Sequence, residues 1–144
     1  MSQYLSEETE ISVESIPSTE LSGFKLSTDM SNVLVVAISQ SGTTTDTNRT
    51  VDLVRGRGAS VIAIVNRRNS DLSQKADGVI YTSDGRDIEM SVASTKAFYS
   101  QVAASILLGI SIRDHAISEP NNSVTRENRQ ALLHELNELP TKML

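Results

Sequence analysis

An α/β architecture with a mainly parallel sheet, a three-layer αβα sandwich of about four strands, is predicted by three features of this 144-residue sequence. Two apolar, β-branched runs, Asn32–Ser39 (NVLVVAIS) and Ser60–Asn66 (SVIAIVN), read as strands buried on both faces rather than as the alternation of half-exposed ones. A helical stretch lies between them, and such alternation implies right-handed crossovers joining parallel neighbours, with helices covering both faces. The length suits a single core.

The elements follow in chain order. Residues 1–10, MSQYLSEETE, are polar and acidic, and no fixed structure is expected there. In Ile11–Ile16 the apolar residues Ile11, Val13 and Ile16 alternate imperfectly before Pro17, as in an edge strand. After Asn32–Ser39, the segment Thr44–Arg57 places Thr47, Val51 and Val54 on one helical stripe, with Gly58 as its stop. Ser60–Asn66 is followed by a short helix, Asp71–Lys75, and a strand, Gly78–Thr82. Ser94 or Thr95 caps a long helix to about Ile112, apolar on nearly every side through Ala97, Phe98, Val102, Ala103, Ile106 and Leu107, and so expected to be largely buried. Beyond the polar loop SEPNNS, Thr125–Leu139 has Leu132, Leu136 and Leu139 at helical spacing, with Pro140 at its end. The expected organisation is thus a disordered segment 1–10 and one domain over 11–144.

Composition excludes several functions. A net charge of −5 disfavours binding to nucleic-acid phosphates. The absence of cysteine removes disulfides, thiolate metal sites and cysteine nucleophiles. The start is not a basic segment followed by an apolar run, so no signal peptide is read. The longest apolar stretch, Val102–Ile110, is far short of the roughly 20 residues that cross a bilayer. A cytoplasmic protein with no membrane partner is expected.

The chemistry concentrates at Ser39-Gln40-Ser41-Gly42-Thr43-Thr44-Thr45, between a buried strand and a helix. In parallel sheets ligands bind at the carboxyl ends of strands. Unpaired amides and the dipole at a helix start favour an anion, the side chains add neutral hydrogen bonds, and Gly42 lets the backbone come close. A phosphate ester suits such a loop. The same hydroxyls also suit plain helix capping, and local pattern leaves both readings open. The segment has neither the lysine of a nucleoside-triphosphate loop nor the glycine spacing of a dinucleotide fingerprint, and no cofactor is implied.

A second segment, Asp87-Ile88-Glu89-Met90-Ser91-Val92-Ala93-Ser94-Thr95-Lys96-Ala97-Phe98, precedes the long helix. Together, SQSGTTTDT and EMSVASTKAF resemble the paired signatures of the sugar isomerase (SIS) domain, in the form that opens the isomerase half of glutamine:fructose-6-phosphate amidotransferase. The resemblance runs from about Ile11 through VESIPSTEL to ELPTKML. It implies a flavodoxin- or Rossmann-like sandwich, a place in amino-sugar metabolism, and a sugar phosphate held by Ser39, Gln40, Ser41, Gly42 and Thr44. It also implies that Val92, through its backbone, and Ser94 line the sugar. Thr43 replaces a glutamate usual in the family, which alters the charge beside the phosphate. Thr43 and Lys96 are further possible contacts, and Glu89 is the candidate base.

The family's opening helix, strand and glycine-threonine-serine loop have no counterpart before Ile11. The resemblance therefore implies an unfilled interior strand position, closed by direct pairing or by a second copy of the chain. The glutaminase cysteine is missing, as are the glutamate, histidine and lysine of the second isomerase domain and tail, so ammonia release is excluded. His115 and His134 lie outside both motifs and read as helix-end or surface residues; they form no metal site. Three functions follow: a module binding fructose 6-phosphate or a similar sugar phosphate, an aldose/ketose isomerase acting as an oligomer, or a sugar-phosphate-sensing regulatory domain. A homodimer is expected, burying part of the Ala97–Ile110 helix or the edge near Ile11–Ile16.

Overall fold

The computed structural model describes residues 1–83, 95–116 and 123–142. The elements are, in order, α1 (Ser2–Glu8), α2 (Ser18–Phe24), β1 (Leu34–Ser39), α3 (Thr45–Arg55), β2 (Ser60–Val65), α4 (Asp71–Lys75), β3 (Gly78–Tyr81), α5 (Thr95–Ala116) and α6 (Ser123–Lys142). They fall into two units, Ser15–Ala104 and a second formed by Met1–Glu14 with Ser105–Leu144.

Unit Ser15–Ala104 is built on a parallel sheet in the order β1-β2-β3. Leu34 pairs with Ser60 and the register runs without a bulge to Ser39 opposite Val65; Ile62 to Val65 then pair with Gly78 to Tyr81. An unbroken register keeps side-chain alternation in step across strands. Val35 and Ala37 of β1, Val61 and Ala63 of β2 and Val79 of β3 therefore share one face. Val51 and Val54 from α3, Leu72 from α4 and Met30 pack on it, with Leu21 of α2 beside them. Val51, Val54, Val61 and Leu72 are essentially inaccessible, and each such side chain contributes about 1.5–3 kcal/mol by leaving water.

The turn from α3 into β2 needs Gly58, whose φ of +93° lies where a side chain is strained. At the amino edge of the sheet, Asp77 joins three elements. Its Oδ2 accepts from the Val61 amide at 2.8 Å, and its Oδ1 meets Arg55 Nη2 at 2.8 Å. Arg55 also donates to the Lys75 carbonyl. In unit Met1–Glu14 with Ser105–Leu144, α1 lies against α5, since a Cβ on Gly109 would sit 3.2 Å from Met1 Cγ. An Arg129–Asp114 ion pair at 3.2 Å ties α6 to α5.

Several expectations need correction. Three strands are present among the described residues, not about four, because Ile11–Ile16 forms no strand. Its three apolar residues find no neighbouring strand to satisfy the backbone, Ile11 is exposed, and β1 is left at the sheet edge. Residues 2–8, expected to lack order, form α1, anchored by the buried Leu5. The helix α2 was not foreseen: it buries none of its own residues, and Gly23 interrupts a sequence with little helical pattern. Ser18 is nevertheless held by Thr50, whose Oγ1 donates to its carbonyl at 3.0 Å. The helix α5 is not largely buried, with Phe98 59% and Tyr99 53% exposed. Finally, α6 runs past Pro140 to Lys142.

Candidate functional site

The carboxyl ends of the three strands place three short segments side by side. Ser39–Thr44 follows β1, Asn66–Ser70 follows β2, and Thr82 follows β3. They are stitched by backbone: the Gln40 carbonyl accepts from the amides of Asn66 at 3.1 Å and Arg67 at 3.3 Å, and the Thr82 amide donates to the Val65 carbonyl at 3.1 Å. Thr82 Oγ1 donates to Asn66 Oδ1 at 3.3 Å.

Within Ser39–Thr44 the hydroxyls divide into two groups. Ser39 is buried and structural, its Oγ accepting from the Gly42 amide at 3.0 Å. Ser41 Oγ accepts from the Thr43 amide at 3.3 Å and from Thr43 Oγ1 at 3.0 Å. Thr44 occupies the N-cap of α3 in extended conformation, yet its side chain makes no cap hydrogen bond. Gly42 has φ +65°. Its carbonyl accepts from Asn48 Nδ2 and from the Leu72 amide, each at 3.0 Å, so it is locked onto both α3 and α4.

Asn48 is the keystone of this turn. Its Nδ2 donates to the Gly42 and Thr44 carbonyls, each at 3.0 Å, from a side chain that is 7% exposed, while its Oδ1 has no partner among the described residues. Each of these carbonyls thereby gains a side-chain donor from inside, beside the Leu72 amide at Gly42 and the Asn48 amide at Thr44. The turn presents outward the start of α3, where the amides of Thr45, Asp46 and Thr47 precede the first intrahelical bond, from Asn48 to Thr44. A fixed turn of neutral donors before a helix amino end can bind an anion without rearranging.

The expected residues Ser39, Gln40, Ser41, Gly42, Thr43 and Thr44 are thus brought together in one loop. Lys96 is exposed in the first turn of α5. Glu89, Val92 and Ser94 lie outside the described residues. His115 is exposed in the last turn of α5, its Nδ1 2.7 Å from the Ser111 carbonyl, and His134 is exposed on α6. Sequence reading missed Asn48, Ser70 and the arginine-bearing Asn66–Ser70 segment. The signal for the last was available, since NRRNS follows its strand as SQSGT follows the preceding one.

Residues 1–111 match the model of the SIS domain. The chain belongs to the SIS domain family. The match begins at the first residue rather than at Ile11, and α6 lies beyond it. Glutamine–fructose-6-phosphate aminotransferase (isomerizing) of Corynebacterium efficiens is 41% identical over 110 residues, which cover 76% of this chain and 16% of that protein. The Mycobacterium bovis enzyme of the same name is 40% identical over 109 residues, again 76% and 16%. The chain thus spans about one sixth of the length of these relatives. Among solved structures, the C-terminal domain of glucosamine-fructose-6-phosphate aminotransferase from Francisella tularensis superposes with a TM-score of 0.74 at 25% identity, covering 97% of this chain and 37% of that one. Glucosamine-6-phosphate deaminase from Thermotoga maritima shares the fold, with a TM-score of 0.63 at 22% identity over 78% and 34%.

Proposed function

We propose that this SIS domain binds a phosphosugar, fructose 6-phosphate or a close relative, with the phosphate seated on Ser39–Thr44. The observation that carries the reading is the split among the hydroxyls. Ser39 and Asn48 are committed to holding the turn, while the exposed Thr44 hydroxyl and the first amides of α3 have no partner among the described residues. Names of the relatives supply the sugar: aminotransferases that take fructose 6-phosphate. Ser41, Gln40, Thr43 and Thr44 contact the phosphate in this reading, Val92 and Ser94 the sugar, with Lys96 beside them. The protein works in the cytoplasm; among the described residues no helix is long and apolar enough to cross a membrane.

Binding without turnover is the form of the function proposed. Calorimetric titration with fructose 6-phosphate, glucose 6-phosphate and unphosphorylated fructose tests it. The two phosphates should bind and fructose should not; equal or absent heats for all three overturn the reading. Sustained interconversion of fructose and glucose 6-phosphates by the pure protein would replace it with an isomerase, for which Glu89 is the candidate base.

The functional state is a homodimer in this proposal. Phe98, Tyr99 and Val102 lie within one turn of α5 and are 59%, 53% and 41% exposed, a stripe that a second copy would cover. The alternative edge at Ile11–Ile16 falls away with the strand that was expected there.

A further inference from the structure

The loop that would hold the phosphate is built of neutral groups, and its surroundings are not favourable to an anion. The chain carries a net charge of −5. Asp46 stands in the first turn of α3 and Asp71 in the first turn of α4, each setting a carboxylate against the positive end of its own helix dipole. A phosphate monoester, close to a dianion at neutral pH, therefore meets two carboxylates and no cation within Ser39–Thr44 itself.

Two cations stand on the adjoining segment. Asn66-Arg67-Arg68-Asn69-Ser70 is clasped to the phosphate loop at both ends. At one end the Gln40 carbonyl takes the Asn66 and Arg67 amides; at the other Ser70 packs against Gly42. Asn69, at φ +56°, turns the segment back in the left-handed conformation that asparagine tolerates better than most residues. The two arginines differ in their engagement. Arg68 lies over the Tyr81 ring at 4.5 Å. Arg67 is exposed and has no carboxylate partner among the described residues. Arg55, paired with Asp77, and Lys75, paired with Asp52, belong to the other end of the sheet.

We propose that Arg67 is a further binding residue of this site, supplying the positive charge that the hydroxyl loop lacks and making the site select ligands with a fully ionised phosphate. The proposal rests on the phosphosugar reading above and names the group that sets its charge selectivity.

The test is a calorimetric titration of the whole chain with fructose 6-phosphate and with inorganic phosphate, at several sodium chloride concentrations. Wild type, Arg67→Gln, Arg67→Lys and the charge-matched control Arg49→Gln are compared, Arg49 being an exposed arginine on α3. Arg67→Gln should weaken both ligands about five- to tenfold and flatten the salt dependence, because an ion pair is screened and a neutral hydrogen bond much less so. Arg67→Lys should fall between wild type and Arg67→Gln, retaining charge but losing the planar fork. Arg49→Gln should stay within about twofold, and all melting temperatures should agree. If Arg67→Gln matches Arg49→Gln in affinity and in salt slope, the assignment of Arg67 is wrong while the site stands. If wild type binds neither ligand, the phosphosugar reading and this one fall together.

Discussion

Gly42 and Ser70 interlock so closely that a methyl group added to the glycine would lie 2.2 Å from Ser70 Oγ and 2.7 Å from Ser70 Cβ, with Val65 Cγ2 at 2.9 Å. The loops after β1 and β2 are therefore one mechanical piece. Gly42→Ala meets both this overlap and the cost of a side chain at φ +65°. It should destabilise the fold by about 2–3 kcal/mol in urea denaturation. Pairing it with Ser70→Gly should recover part of the loss, and a double variant no better than the single one would place the strain elsewhere.

The two ends of the Ser39–Thr44 loop should separate stability from the proposed binding. Ser39→Ala leaves the buried Gly42 amide without its acceptor and should cost about 1–3 kcal/mol of stability. Thr44→Ala removes a hydroxyl that makes no cap bond. It should leave the melting temperature nearly unchanged while weakening fructose 6-phosphate about tenfold or more. Equal effects of both on melting, or none of Thr44→Ala on binding, would contradict the division of roles.

Asn48→Asp keeps the shape of the side chain and removes both donors to the Gly42 and Thr44 carbonyls, placing a carboxylate among carbonyl oxygens. A loss of about 3 kcal/mol or more is expected in chemical denaturation. Asn48→Ala should cost less than Asn48→Asp, because the Gly42 and Thr44 carbonyls keep their backbone donors, the amides of Leu72 and residue 48, and no repulsion is added.

Asp29 Oδ1 accepts from the Ser31 amide at 2.9 Å, and hydrogen bonds from the backbone and then the side chain of Ser31 hold its carboxyl below the ordinary value of 3.8. A depressed value means that the folded state favours the ionised form. This stabilisation is present above pH 3.8 and is lost as the pH falls through the lower folded value. Asp29→Asn should therefore be less stable than wild type at neutral pH, the difference shrinking in strong acid. A difference independent of pH in paired thermal melts would show that the hydrogen bonds do not depend on charge.

Phe98→Glu with Val102→Glu should convert the proposed dimer to a monomer at micromolar concentration, because burying carboxylates at a shared apolar stripe is costly. Light scattering reads the result directly. A wild type already monomeric would dispose of the dimer.

Strands β1, β2 and β3 were legible because apolar runs of that length have few other uses, although β1 proves to be an edge strand with Leu34 and Ile38 exposed rather than one buried on both faces; the turn Ser39–Thr44 was legible because SQSGTTT sits between such a run and a helix. Its inner scaffolding was not. Asn48 reads as one more polar helix residue until the carbonyls of Gly42 and Thr44 are seen to converge on it. The failure at Ile11–Ile16 has the opposite cause: a strand exists only through its neighbour, and three apolar residues in a row of six say nothing about whether one is there. Exposure of Phe98 and Tyr99 was hidden for a similar reason, since an apolar helix does not record which side its own chain covers.

The Asp77 clasp has a consequence for how such a domain can change over time. Its bonds to Val61 and Arg55 fix where β2 begins and where α3 ends, at the rim of the sheet away from the Ser39–Thr44 and Asn66–Ser70 loops. The strand register is thus held at one rim, separately from the Gly42–Ser70 and Asn48 contacts that hold the loops at the other. Exposed loop positions such as Arg67 and Thr43 can therefore exchange residues and so acquire new ligand preferences, while the buried Asn66 and Ser70 and the strand register stay fixed. A library randomised at Arg67, Arg68 and Thr43 should consequently contain mostly folded members, a practical starting point for redirecting the site toward other anions.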